Sequence, residues 1–145
     1  MRTCLVGSEM CIRDSLSANT TSQQTFHNIV ADRGKSTFNG RIHIHAGARN
    51  SNANLSNKNI GLGANATINT KPELEIYNDD VSCSHGATIG QLDNDQLFYL
   101  CSRGVDPNAA RQLLCEGFLQ QCVGGPLADR ATAGLLEPLQ GLSIQ

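Results

Sequence analysis

The stretch "NDDVSCSHGATIGQLD", Asn78 to Asp93, sets a thiol, Cys83, two residues from an imidazole, His85, with Gly86 next. Three chemistries use those groups together. A thiolate with a base nearby is a nucleophile. A thiolate and a neutral imidazole are ligands for a soft or borderline metal or cluster. In a strand, both can also be plain interior side chains. Cys83 and His85 share parity with Val81, Ala87 and Ile89, so an unbroken strand puts them on its apolar face. Side chains at i and i+2 stand about 7 Å apart. That is too far for a base–nucleophile hydrogen bond and close enough for two ligands of one cluster. Against this stands a buried small thiol and a hydrogen-bonded core histidine. The second is harder to satisfy, because a buried imidazole needs partners for both nitrogens.

Other groups are weaker candidates. His43 and His45 in "RIHIH" form a second i, i+2 pair, on the polar face of their strand. Such a pair can hold a metal, although solvated pairs more often hold nothing. Glu73 and Glu75, with Asp79 and Asp80 nearby, form an acidic patch or a glycosidase-like pair. A solvated face is the simpler account of their alternation. Gly61 to Gly63 does not open a helix and so lacks the context of a phosphate loop.

The elements that must position these residues read as strands first and helices second. The chain has 145 residues, one domain's worth, with formal net charge −2. Near-neutrality argues against nucleic acid or an anionic membrane as partner. No stretch has the length of a transmembrane helix. Aromatics make up 4%, Trp is absent, and Gly and Asn abound, as in stacked short strands with polar turns. Ile42 and Ile44, Ile60 and Leu62, Ala66 and Ile68, and Leu74 and Ile76 alternate with polar residues, which is the strand period. The apolar pairs recur roughly every eight residues, broken by Asn, Gly or Asp. With no interleaved helix, an antiparallel sandwich and a β-solenoid remain, and the short strands with Asn corners favour the solenoid. After Gly90, Asp93 caps a helix with apolar Leu97, Phe98, Leu100 and Cys101, and Gly104 ends it. Asp106 and Pro107 start a second helix, with Ala110, Leu113, Leu114, Phe118 and Cys122 as its buried face. Gly124, Gly125 and Pro126 stop it, and a short third helix follows Leu127.

Residues 1 to about 15 stand apart. "EMCIRDS" back-translates to GAG ATG TGT ATA AGA GAC AGN, which resembles a transposase sequencing adapter read as codons. Glu9, Arg13 and Asp14 also break any signal-peptide core. These residues are therefore expected to be foreign to the fold, and the chain to be a fragment. Of six cysteines, Cys83, Cys101, Cys115 and Cys122 remain, none in a CxxC pair. Scattered thiols fit a reducing compartment. The expected plan is adapter at 1–15, lead-in strand and loop at 16–35, β-core at 36–92, helical domain at 93–123 and tail at 124–145.

Three blocks, "FHNIVADRGKSTFNGRI", "PELEIYNDDVSCSHGATIGQLD" and "QLFYLCSRGVDPNAARQLL", resemble in order the C-terminal part of the SufB/SufD family, scaffold subunits of the SUF iron–sulfur cluster assembly machinery. Gly86 after His85 resembles the SufD branch, where SufB has Glu. The resemblance implies a parallel β-helix fragment followed by a small α-helical domain. It implies a non-catalytic, cytoplasmic scaffold (plastid in a eukaryote) pairing with a SufB-like subunit and docking a SufC-like ATPase, which hydrolyses the ATP. His85 would lie at the nascent-cluster interface as a transient metal or cluster ligand, with Cys83 a weaker participant. The cluster would be shared with the partner and not stably held by this chain. The SufC contact would fall on the helices, with Gln96, Tyr99, Arg103 and Arg111 as candidates. No role for His43 and His45 is implied. The alternatives are a SufB-like paralogue, a β-solenoid carbohydrate-active enzyme, or a structural module. The absence of Trp and the dispersed acids count against the enzyme.

Overall fold

The computed structural model describes residues 6–122. Six strands alternate between two parallel sheets. β1 (Val6–Ser15), β3 (Lys35–Ile44) and β5 (Thr67–Ile76) form the first, in that order. β2 (Thr21–Ala31), β4 (Ser51–Leu62) and β6 (Val81–Gly90) form the second. Two helices follow, α1 (Asn94–Ser102) and α2 (Pro107–Gln120). Every strand pairing is parallel, which overturns the antiparallel alternative. Lys35 pairs with Thr67 and Ser51 with Val81. The structural repeat is thus close to thirty residues, not the eight suggested by the apolar pairs. The strands have 10 to 12 residues. β5 takes in Ile68 as well as Leu74 and Ile76, two runs read separately in the sequence, because Asn69 and Pro72 inside the strand look like a break.

Period-two patterning places the core between the sheets. Phe38, Ile42 and Ile44 of β3 face Ala53 and Leu55 of β4, all at most 3% exposed, with Ala48 closing one end. Gly40 lies inward between Phe38 and Ile42. A Cβ there would stand 2.7 Å from the Phe38 ring and 2.8 Å from Leu55 Cδ1, so the aromatic ring occupies the space a side chain would fill. The corners use left-handed backbone. Asn19, Asp32 and Asn50 have φ of 58°, 53° and 52°, and Gly63 has 119°. Successive corners stack: the Asn50 amide donates to Asn19 Oδ1 at 2.7 Å.

The inward face of β4 corrects the expected pairing of Ile60 with Leu62. Asn57 and Asn59 are the buried residues there, and Ile60 is only half-buried. Asn57 Oδ1 accepts from Thr70 Oγ1 at 2.8 Å and from Asn59 Nδ2 at 2.6 Å. Asn59 Nδ2 also donates to the Thr88 carbonyl at 3.0 Å. These bonds offset part of the cost of burying the amides, with Asn59 Oδ1 left without a partner among the described residues. β1 departs from the common pattern. Its register sets Glu9 beside Phe38 and Arg13 beside Ile42, while Met10 and Ile12 turn outward and are exposed.

Both helices begin where the sequence places them. Asp93 Oδ1 accepts from Asp95 N at 2.9 Å, and Asp106 Oδ1 from Asn108 N at 2.9 Å, with Pro107 in the first turn. Gly104, at φ 88°, closes α1. The expected buried faces need correction: Phe98 and Leu113 are 75% and 50% exposed, and α2 buries Ala110 and Cys115. α2 returns to the outer side of β2. There the His27 ring stacks on Phe118 at 4.5 Å and its Nδ1–H donates to the Phe118 carbonyl at 2.7 Å. The 16–35 stretch thus holds a full strand that carries the helical unit. The stop at Gly124–Pro126, the third helix and Cys4 lie outside the described residues.

Candidate functional site

β6 is the last strand of the second sheet. In parallel register, paired residues share a side, so Gln24, Leu55 and His85 form one inward column. Gln24 and Leu55 are buried at 8% and 1%. His85 is exposed, although its position in the column is a core position. The cause is geometric: Leu55 has a strand on either side, and His85 has one only. An imidazole at this end of the interior is oriented by β6 and open to solvent. It can meet a metal or a partner without leaving its strand.

Cys83 differs. It pairs with Ala53 and packs with Val81 against the core cluster. Burial raises its thiol pKa, an effect partly offset by a hydrogen bond with Ala53 backbone. The thiol therefore stays protonated near neutral pH, the wrong state for a nucleophile. No hydrogen bond joins Cys83 to His85 among the described residues. The structure thus sets the two on one face and does not make them a base–nucleophile pair.

The other candidates fall elsewhere. Gln96, Tyr99 and Arg103 are exposed on and beside α1. The Arg103 guanidinium lies 4.9 Å over the Tyr99 ring, an arrangement that holds a cation and an aromatic face together toward solvent. Arg111 is half-buried on α2 and has its own interactions. Glu73 and Glu75 lie outward on β5, matched by Lys71 at 2.7 Å and Arg41 at 3.3 Å. The Lys71 hydrogen bond and charge lower the Glu73 pKa. A glycosidase acid needs a raised one, so this pair does not suit that chemistry. Asp79 and Asp80 are exposed at the next corner. His43 and His45 sit on the outer face of the first sheet. Neither of two shallow grooves is lined by Cys83 or His85.

Sequence reasoning missed His27, which fastens α2 to β2. No local signal marks it, since its partner is 91 residues away. It also missed the buried Asn57 and Asn59. No described helix is long and apolar enough to cross a membrane.

Comparison with known proteins adds independent information. A family model described as "SUF system FeS cluster assembly, SufBD core domain" matches residues 11–118. The iron–sulfur cluster assembly protein SufD of Escherichia coli is 44% identical over 97 residues, covering 67% of this chain and 23% of that protein. A SufBD family protein of Synechocystis is 47% identical over 90 residues, 62% of this chain and 20% of that protein. SufB of Bacillus subtilis is 31% identical over 105 residues, 72% of this chain and 22% of that protein. The chain thus spans less than a quarter of the length of these relatives.

Proposed function

We propose, because the chain belongs to the SUF system SufBD core family, that it is the C-terminal part of a SufD-like, non-catalytic scaffold for iron–sulfur cluster assembly in the bacterial cytoplasm. The observation that carries the reading is His85, an exposed imidazole at the end of an otherwise buried inward column. A cluster is cargo here. An imidazole from one subunit and a thiolate from another make a mixed ligand set, and a mixed set at an interface suits a cluster that must leave. Cys83, with its raised pKa, is strand packing in this reading and the missing thiol belongs to a SufB-like partner. Within one organism, Bacillus subtilis, the identity is 37% to SufD against 31% to SufB, which supports the SufD branch, as does Gly86.

The two sheets are read as two faces of a parallel β-helix. Strands that alternate between sheets and pair with the strand one coil later support this. Its rigid coils hold His85 at a boundary. The exposed Gln96, Tyr99 and Arg103 are the surface for a SufC-like ATPase, with Arg111 beneath it. Residues 1 to about 15 are read as foreign to this fold, which the charges of Glu9 and Arg13, exposed yet in register with the inward Phe38 and Ile42, support.

The test uses the full-length protein. His85→Ala is expected to leave the complex with SufB and SufC intact and to abolish cluster formation in cells. Normal cluster formation in that variant would remove His85 from the mechanism. A pull-down with SufC separates the scaffold from a purely structural module, which would capture no ATPase.

A further inference from the structure

The two helices bury little of themselves. α1 has 9 residues and none is buried, and α2 has 14 and buries Ala110 and Cys115. Helices shorter than about 12–15 residues are marginal in water and take most of their stability from packing. Gly117 weakens α2 further. It lies inside the helix, and a Cβ there would meet nothing within 4 Å. No close packing demands a glycine at that position, and its backbone freedom is an entropic cost to the helix.

The last turn of α2 is held from outside the helix. The final four carbonyls of a helix lack intrahelical donors, and that of Phe118 is one of them. His27 of β2 donates its Nδ1–H to this carbonyl at 2.7 Å. The same imidazole lies over the Phe118 ring, with centroids 4.5 Å apart and planes at 17°. One side chain thus caps the helix end and stacks on it. In the turn that follows, the Cys122 thiol donates to the Thr25 carbonyl of the same strand at 3.4 Å. α1 in turn packs on α2. The order of dependence is therefore β2, then α2, then α1.

We infer that His27 is the latch of a helical unit that opens locally, and that closing the latch is linked to capture of the ATPase partner. The linkage rests on the reading that these helices dock a SufC-like ATPase. The exposed Tyr99 and Arg103 form one surface only while α1 is folded. A partner that recognises that surface binds the closed unit better than the open one, and so draws the population toward the closed form. By reciprocity, whatever closes the unit raises the affinity for the partner. The apparent affinity is the intrinsic one scaled by the closed fraction. His27 is a positioning residue in this scheme and acts through α2.

The test measures amide hydrogen exchange in the full-length protein, alone and with SufC, together with SufC affinity. His27→Ala is expected to speed exchange in α1 and α2 by about tenfold, through the lost hydrogen bond and ring contact, and to leave β4 unchanged. SufC capture is expected to weaken severalfold in the same variant. His27→Asn, which keeps a donor where Nδ1 stands, is expected to recover part of both. Gly117→Ala, added to His27→Ala, should slow exchange in α2 by about fivefold without touching the latch. SufC added to the parent protein is expected to protect the last turn of α2 as well as α1. Unchanged helix exchange in His27→Ala overturns the latch, whatever SufC does. Faster exchange with unchanged SufC affinity overturns the linkage alone. A parent protein that captures no SufC overturns the docking reading and the linkage with it, while exchange still decides the latch.

Discussion

At the scale of single residues, position in a column matters more than residue type. Cys83 and His85 are two residues apart on one face, yet one packs on the core and the other is open. The thiols offer a direct check. Cys115 is fully buried, and burial with the nearby Glu116 charge pushes its pKa above the ordinary 9.0. Its folded form therefore holds a proton that the unfolded chain releases first. That contribution is complete below the unfolded pKa and is lost as pH rises through the folded one. Denaturation midpoints are expected to fall between pH 8 and pH 10, and Cys115→Ala to flatten the fall. Cys83, raised in the same direction, leaves a residual slope of the same sign. A midpoint that rises over this range would contradict the burial of Cys115. In the native chain, alkylation of Cys115 should proceed only as fast as α2 opens.

At the scale of elements, two substitutions test what fixes strand and helix. Gly40→Ala sets a methyl against Phe38 and Leu55, both buried and unable to retreat. Overpacking of this kind costs about 1–3 kcal/mol, to be read from denaturant unfolding. Asp106→Ala removes the acceptor of the Asn108 and Ala109 amides, at a cost of about 1 kcal/mol, with faster amide exchange in the first turn of α2. The helices were legible because caps are local: Asp93, Gly104, Asp106 and Pro107 each act within a few residues. The alternation of Ile42 and Ile44 was legible for the same reason. The repeat was not, because Ile42 meets Leu74 and Asn59 bonds to Thr88 only across a coil. An Asn that is buried by such partners looks in the sequence like a turn. The site was half legible. Parity placed His85 on the inner face, but its exposure depends on which strand comes last in the sheet. The outward Leu113 and Phe98 likewise reflect how little of α1 and α2 the sheets cover.

At the scale of the whole molecule, four strands end the two sheets among the described residues, β1 and β2 on one side and β5 and β6 on the other, and the latter two are not equivalent. β5 carries Lys71, Pro72, Glu73 and Glu75, charges and a missing N–H that discourage edge pairing. β6, "VSCSHGATIG", has no fixed charge and no proline, and is exposed along most of its length. Beside it the open end of the interior shows Leu74, Ile76 and Ile89 at 37%, 42% and 56% exposure. An uncharged edge next to exposed apolar side chains is a template for a further strand. The isolated chain is therefore expected to self-associate with rising concentration, through β6. Light scattering behind size-exclusion chromatography reads the state directly. Ala87→Lys with Ile89→Lys should shift the chain toward monomer, by placing charge on the vulnerable edge. Asn69→Lys on β5, already guarded, should change little. A parent chain that stays monomeric at high concentration and melts cooperatively would mean that the open coil is stable in water. The exposure of His85 would then need no partner to explain it.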